Sequence, residues 1–284
     1  MKTIILTSFI GLLGAFSTVV AQGGNPFELP RTEVVPITDT QHSRQYELYI
    51  KLPAGYTENQ DRQYPVLYYT DAIWHIEMLN GTMEYLIEDA ILVGISWQKD
   101  ADEALVQERG AHVSRFRDYS VVPSSNPERQ AKYQFGKASE HLDFIADEVI
   151  QYVDAHYRTD SEVRAYFGYS LGGVFGAYAL LAQPDIFTHY ILGSPALQGD
   201  IPYFTELEAN TRTNQEDWNA HVFITYGSLE EELGQHADAY ISLLHARDDE
   251  RISLITKVIE GTHQTAFPLT TVQGVTWLSG LLAE

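Results

Sequence analysis

One serine of this chain lies where a nucleophile could work. Residues 168–172 read GYSLG and match the spacing G-x-S-x-G around Ser170. They follow a strand pattern over 163–167 and precede a helix pattern over 174–182. Flanking glycines let strand and helix approach closely, which exposes the serine above the sheet and puts the Leu171 N–H where an oxyanion would form. The alternative is a glycine-rich helix entry whose serine only caps the helix.

A serine hydroxyl becomes a nucleophile only when a base takes its proton. Where the serine lies on a strand–turn–helix of this kind, the expected chain order of the three groups is Ser, acid, His. His263 follows the carboxyl end of the last strand pattern, 252–259, so we predict that it is the base. The other histidines after Ser170 fit less well because of their positions. They are His189 and His221 at strand beginnings, His236 in a loop and His245 in a helix of the wrong topology.

The acid partner should follow the preceding strand pattern, 222–226, and three carboxylates stand there in a row. Glu230 is the preferred candidate, because a short turn after the strand is enough to direct it back to the sheet edge. Glu231 and Glu232 would then be solvated, although the sequence leaves the choice among the three open. The acid would orient the imidazole and stabilise the imidazolium.

A second oxyanion donor is expected in the loop after the strand pattern 64–70, since a backbone N–H from this loop completes the site in such folds. Ala72 is the candidate donor. Trp74 and some of the 18 tyrosines are candidates for lining an acyl pocket, although aromatic residues of this kind are also typical of a core.

Strand and helix patterns alternate along the chain. Short apolar or β-branched runs predict strands at 32–37, 45–52, 64–70, 91–95, 163–167, 189–192, 222–226 and 252–259. Helical spacing predicts helices at 76–88, 142–156, 174–182, 240–247 and 270–283. Residues 97–136 are polar and lack a sustained period, so they are predicted to be an insertion or long loop over the strand ends that shapes a binding site.

The order of these elements predicts the fold class. The first two strands flank turn residues 39–43 and predict an antiparallel hairpin near a sheet edge. The remaining alternation predicts an α/β fold with a mostly parallel central sheet flanked by helices on both faces, whose ligands bind at the carboxyl ends of the strands. No repeat or linker divides the chain, so residues 22–284 are predicted to form a single domain.

The composition excludes several kinds of catalytic and metal site and disfavours some partners. The 284 residues include no cysteine, which excludes disulfides, thiolate nucleophiles and cysteine-ligated metal sites. Asp and Glu number 39 against 18 Lys and Arg, and the net charge of −21 makes nucleic acid and anionic lipid poor partners. The sequence has neither a zinc-binding His motif nor a phosphate-binding glycine loop, so we predict no metal and no cofactor. An acidic surface also suits a protein secreted into high salt.

The N-terminus predicts export. Lys2 precedes an apolar stretch over 4–20, which ends in Val-Val-Ala before Gln22. This pattern is typical of a signal peptide, residues 1–21, cleaved after Ala21. An uncleaved membrane anchor is the alternative, which the lack of a basic flank after the apolar stretch disfavours. We therefore expect a periplasmic or secreted protein with no membrane contact after cleavage.

Several blocks together resemble the esterase D-like branch of the α/β-hydrolases, a group that includes the periplasmic siderophore esterases and the antigen 85 mycolyltransferases. Residues 64–72, YPVLYYTDA, resemble the family block YPVLYLLDG, and residues 115–120, RFRDYS, resemble its R-x-RD-x-TP segment. The stretch 144–173, which ends in the GYSLGG turn, and residues 191–197, ILGSPAL, are the most specific parts. The resemblance spans most of residues 33–282.

The resemblance implies the α/β-hydrolase fold and hydrolysis of a small-molecule ester through an acyl-enzyme. The site residues that it implies are Ser170 as nucleophile, His263 as base, Glu230 as acid, Ala72 with Leu171 as oxyanion donors, and Arg117 as an organiser of the substrate cleft. The chain departs from the family at Ala72, where glycine is usual.

Three other functions stay open at this stage. The siderophore esterases are the subgroup closest in pattern and in export, so a siderophore trilactone esterase is one alternative, although the negative charge of the chain opposes an anionic ferric catecholate. Acyl transfer to an alcohol acceptor uses the same residues and is a second. A non-catalytic binding protein with a hydrolase fold is the third, and the oligomeric state stays open.

Overall fold

The computed structural model describes residues 25, 27–211, 219–247, 249 and 251–283, so the predicted signal peptide lies outside the described residues. The described residues contribute eight strands to one sheet. The strands are β1 Thr32–Asp39, β2 Arg44–Lys51, β3 Tyr64–Tyr69, β4 Ile91–Ile95, β5 Thr159–Tyr169, β6 His189–Gly193, β7 Ala220–Gly227 and β8 Ile252–Ile259.

The sheet is mostly parallel, as predicted. Its strand order is β1-β2-β4-β3-β5-β6-β7-β8. β2 runs antiparallel to both β1 and β4, and β1 forms the edge with the predicted hairpin. The strands from β3 to β8 pair in parallel, so their carboxyl ends meet at one edge of the sheet. That edge is where α/β sheets bind their ligands.

Helices connect the strands. They are α1 Ala72–Leu86, α2 Glu103–Arg109, α3 Arg115–Asp118, α4 Pro127–Tyr133, α5 Ala138–Phe144, α6 Gln151–His156, α7 Leu171–Ala182, α8 Ile201–Thr211, α9 Glu231–Ala246 and α10 His263–Leu282. A 3₁₀ turn, Ala111–Ser114, precedes α3, and a π-helical segment, Ile145–Ile150, joins α5 to α6. Within the described ranges, no helix combines the length and the apolarity needed to cross a bilayer.

The sheet has a buried core on each face. Along β3, Tyr64, Val66 and Tyr68 pack into the core that is shared with α5 to α9. Leu67 and Tyr69 point the other way, into the core under α1 and α10. Burial on both faces explains the nearly continuous apolar run from which this strand was predicted.

Among the described residues, the sequence patterns missed four helices. Residues 97–136 are not a long irregular loop, because α2, α3 and α4 lie within them. These helices have four to seven residues each, too few to establish a helical period. Helix α8 was not predicted at all. Within it Phe204 and Glu208 are buried, and Ile201, Tyr203 and Leu207 pack against the core while partly exposed.

All five predicted helices begin earlier than their sequence patterns, and α5 and α7 do so by four and three residues. Helix α1 begins at Ala72 rather than at residue 76, and α10 begins at His263 rather than at 270. Helix α9 begins at Glu231 rather than at 240, which places His236 in a helix and not in the predicted loop. For α1, α9 and α10 the missed first turns directly follow the carboxyl ends of β3, β7 and β8, at the ligand-binding edge.

The turn after β5 is tight enough to require glycine. A Cβ on Gly168 would lie 2.2 Å from the Gly172 carbonyl oxygen, and a Cβ on Gly172 would lie 2.6 Å from Thr70 Oγ1. Both distances are shorter than van der Waals contact, so a side chain fits only if the strand, the helix or the loop after β3 moves. The two glycines therefore bring the start of α7 against the residues that precede α1.

We expect Gly168→Ala to lower the free energy of unfolding by about 1–3 kcal/mol, because the added methyl overpacks this turn. The matched control is Gly81→Ala in α1, where a Cβ would meet nothing within 4 Å. The control should leave stability unchanged or raise it by up to about 1 kcal/mol through helix propensity. Urea denaturation measures both, and equal stability of the two variants would contradict the steric requirement.

Candidate active site

Ser170 occupies the junction of β5 and α7 in a strained backbone conformation. Its φ and ψ are 58° and −119°, a region that residues with a side chain rarely adopt. The Ser170 N–H donates to the Gly193 carbonyl at 2.9 Å, which fastens the turn to the end of β6. The side chain is partly exposed at the carboxyl edge of the sheet. A serine held in this way presents its hydroxyl to a ligand above the sheet.

His263 and Glu230 are in direct contact. The Nδ1 of His263 lies 2.5 Å from Glu230 Oε1. The Glu230 side chain is 6% exposed and the His263 side chain 33%, so the acid is covered while the imidazole reaches the surface. A carboxylate that accepts the Nδ1–H leaves Nε2 free to accept a proton, which is the tautomer that a general base requires.

Glu230 differs from the two acids that follow it. Its Oε2 accepts the Gly227 N–H at 2.6 Å and the Ser194 hydroxyl at 2.7 Å. Glu231 and Glu232 are exposed in the first turn of α9, where a negative charge complements the helix dipole. Of the three carboxylates in the row, Glu230 is the one that reaches the imidazole.

Two residues that the sequence analysis gave no role support this pair. The Tyr169 hydroxyl donates to the His263 carbonyl at 2.6 Å and lies 2.9 Å from Ser194 Oγ. Burial raises the pKa of Tyr169 to about 12, so the phenol keeps its proton as a donor. Ser194 is fully buried at the end of β6 with a φ of 39°. Its place in the ILGSPAL block was the available signal, but the motif alone does not reveal the contact with Glu230.

The two candidate oxyanion donors begin two neighbouring helices. Ala72 is the first residue of α1 and Leu171 the first residue of α7. These helices follow the adjacent parallel strands β3 and β5, so their N-termini meet at the same edge. The first N–H groups of a helix have no acceptor within it. Among the described residues, neither of these two N–H groups has any other acceptor, so both are available to an oxyanion.

The loop between β3 and α1 is held by a contact from the His75 side chain. Its Nδ1 lies 3.0 Å from the Thr70 carbonyl oxygen, and its ring stacks on Phe267 with centroids 4.9 Å apart. Burial lowers the pKa of His75, so the ring is neutral at neutral pH and can donate Nδ1–H to that carbonyl. The contact joins the start of α1 to α10, the helix that carries His263.

Ser170 is joined to the acid and the histidine through the end of β6. Gly193 accepts its N–H, and the next residue, Ser194, bonds Glu230. Ser170 Oγ itself makes no hydrogen bond within the part of the chain that the structure describes. Its contact with His263 therefore stays a prediction, and such contacts commonly tighten only when substrate binds.

Trp74 and Arg117 lie in different surroundings. The Trp74 ring is about half exposed and packs against Trp97 and His112 at centroid distances of 4.7 and 4.9 Å. Arg117 instead donates to Asp118 Oδ1 at 2.7 Å and to the Tyr46 hydroxyl at 3.2 Å. These contacts anchor Arg117 toward β2, and its role in the substrate cleft stays a prediction.

Comparisons with known proteins now identify the family. Residues 40–282 match the Putative esterase family. The chain belongs to this family. As a member it is a carboxylic ester hydrolase, in agreement with the resemblance found in its sequence. Among the described residues, no group of three or more His, Asp or Glu side chains is arranged to hold a metal ion.

Individual relatives are more distant. The esterase is 26% identical over 226 residues to the ferri-bacillibactin esterase BesA of Bacillus subtilis, a match that covers 73% of each chain. It superposes on the IroE-like serine hydrolase from Shewanella oneidensis with a TM-score of 0.73 at 20% identity, over 88% of this chain and 80% of that one. For the BES protein from Bacillus cereus the TM-score is 0.76 at 20% identity, over 91% and 98%. The α/β-hydrolase fold that the sequence predicted is thereby confirmed.

We expect Glu230→Gln to lower kcat for ester hydrolysis by about 10²–10⁴-fold, because the amide cannot stabilise the imidazolium. Glu231→Gln and Glu232→Gln are the matched controls, since they remove the same charge from adjacent exposed positions. Both controls should keep kcat within about threefold of the parent. Steady-state kinetics on a p-nitrophenyl ester decide the matter, and a loss in either control that equals the loss in Glu230→Gln would contradict the assignment.

Proposed function

We propose that this esterase is an exported serine carboxylic-ester hydrolase with Ser170 as nucleophile, His263 as general base and Glu230 as the acid of the triad. The observation that carries the proposal is the 2.5 Å contact between His263 Nδ1 and Glu230 Oε1, at the same edge of the sheet as a serine in a strained turn. The bonds from Gly227 and Ser194 to Glu230 hold that carboxylate in its orientation toward the imidazole.

In the first half of the reaction, Ser170 Oγ attacks the ester carbonyl carbon while its proton passes to His263 Nε2. The carbonyl oxygen becomes an oxyanion, which the N–H groups of Ala72 and Leu171 stabilise together with the positive ends of α1 and α7. The tetrahedral intermediate then collapses. The bond to the alcohol oxygen breaks, and the alcohol leaves with the proton from His263, so that the acyl group remains on Ser170.

In the second half, His263 takes a proton from water and the resulting hydroxide attacks the acyl-enzyme. The carboxylic acid is released and Ser170 regains its proton. The exposure of the His263 ring supports hydrolysis over acyl transfer, because water reaches the base directly. Acyl transfer would need an alcohol to occupy this same position and to exclude water.

A siderophore trilactone is the second candidate substrate. The relative from Bacillus subtilis is named a ferri-bacillibactin esterase, and the half-exposed Trp74 side chain lies two residues from the proposed oxyanion donor Ala72. An aromatic acyl group could stack on the exposed part of that ring. The guanidinium of Arg115 lies 5.0 Å from the same ring, but its charge is already paired with Asp71, so recognition would depend on stacking more than on charge.

The proposed substrate class is tested with the protein that begins at Gln22. A series of p-nitrophenyl esters of increasing chain length is compared with a catecholate trilactone. Ser170→Ala should reduce turnover by at least about 10⁴-fold on every substrate and abolish labelling by a fluorophosphonate. Turnover of short esters alone would make the chain a general carboxylesterase, whereas a strong preference for the trilactone would support the second candidate. Full activity of Ser170→Ala would refute the proposed mechanism.

The proposed export makes a separate prediction. When the full chain is expressed in a Gram-negative host, the protein should appear in the periplasmic fraction with Gln22 as its first residue, because Ala21 ends the signal peptide. Intact-mass spectrometry of the fractionated cells measures this. A protein that keeps residues 1–21 in the membrane fraction would support the uncleaved anchor instead.

A further inference from the structure

Asp71 lies directly before the oxyanion donor Ala72 and behaves unlike an ordinary helix N-cap. It is fully buried, and its backbone has the left-handed helical conformation, with φ 57° and ψ 45°. An aspartate at the N-cap usually accepts a hydrogen bond from the second or third N–H of the helix. The Asp71 side chain makes no such bond. Its carboxylate instead bonds to residues outside the helix that it precedes.

That carboxylate is held by two residues outside α1. Arg115 donates to it in a bidentate manner, from Nε to Oδ1 and from Nη2 to Oδ2, both at 2.9 Å. Trp97 Nε1 donates to Oδ1 at 2.6 Å. The Arg115 side chain is itself largely buried, so the pair is shielded from water. Paired Arg–carboxylate forks of this geometry are strong and directional.

The orientation leaves the start of α1 open. The Asp71 carbonyl oxygen accepts the N–H groups of Trp74 and His75. Over the described residues, the N–H groups of Ala72 and Ile73 have no acceptor. A carboxylate that capped Ile73 in the usual way would place a negative charge beside the Ala72 N–H, where the substrate's own oxyanion must form, and like charges so close repel strongly.

We propose that Arg115 and Trp97 are positioning residues for the oxyanion hole, because they hold the Asp71 carboxylate away from the first N–H groups of α1. The inference rests on the proposed function, in which the Ala72 N–H stabilises the oxyanion. It also separates the two arginines of the RFRD segment. Arg115 acts on the oxyanion loop, whereas Arg117 is bound to Asp118 and Tyr46.

The test compares Arg115→Met with two other variants. Arg115→Met should lower kcat by about 10²-fold, the usual loss for one oxyanion donor, with KM within about threefold of the parent. Arg115→Lys should recover part of the loss, because its ammonium still pairs with the carboxylate. Arg109→Met, an exposed arginine of the same 97–136 segment, is the matched control and should leave kcat unchanged.

An inhibitor distinguishes positioning from a general structural effect. A trifluoromethyl ketone that adds to Ser170 forms an oxyanion, whereas the corresponding methyl ketone binds without forming one to a comparable extent. In Arg115→Met the affinity for the trifluoromethyl ketone should fall in proportion to kcat, while the affinity for the methyl ketone stays constant. Equal losses for both ketones, or a raised KM with unchanged kcat, would overturn the proposal.

A double variant keeps the test decisive if Arg115→Met folds poorly. Asp71→Gly removes the carboxylate and adopts the left-handed conformation without strain. In the Arg115→Met background it should raise kcat by about tenfold over the single variant, because nothing remains to block the donor. No recovery in a folded double variant would overturn the proposal. Failure of the proposed function is recognised separately, because the parent protein would then not be labelled by a fluorophosphonate at Ser170.

Discussion

The parallel pairing of strands from β3 to β8 is the constraint on which the site depends. Each of five strands ends at the same edge and delivers one residue there. β3 leads to Ala72, β5 to Ser170, β6 to Ser194, β7 to Glu230 and β8 to His263. None of these residues is near all the others in sequence, and only the common direction of the strands brings them together.

Two buried carboxylates at this edge are handled in the same physical way. Glu230 is fixed by the Ser194 hydroxyl and a backbone N–H, and Asp71 is fixed by Arg115 and Trp97. A buried charge that lacks such donors would be costly and would lose its orientation. In each case the donors determine which group the charge faces. Glu230 contacts the imidazole that it is proposed to stabilise, and Asp71 bonds outside the helix start that the proposed mechanism requires to be free of negative charge.

The sequence could predict the sheet and the order of the chemical groups, since both depend on local pattern. A buried strand has an apolar run, and a residue just beyond its carboxyl end belongs to the ligand edge, which is how His263 and Glu230 were singled out. Contacts over long separations were not predictable. Asp71 and Arg115 are 44 residues apart, and no local pattern links them. Short helices such as α2 and α3 escaped notice because a helix of one or two turns has no period to detect.

The two faces of the sheet carry different parts of the site. Helices α1 and α10, which begin at the proposed oxyanion donor Ala72 and at His263, share one buried core, whereas α7, which begins directly after Ser170, belongs to the core on the opposite face. Serine and imidazole therefore reach the shared carboxyl edge from helices that pack on opposite faces of the sheet, so the distance between them depends on how the two layers are placed. A small slide of the α1–α10 layer would change that distance without unfolding either core.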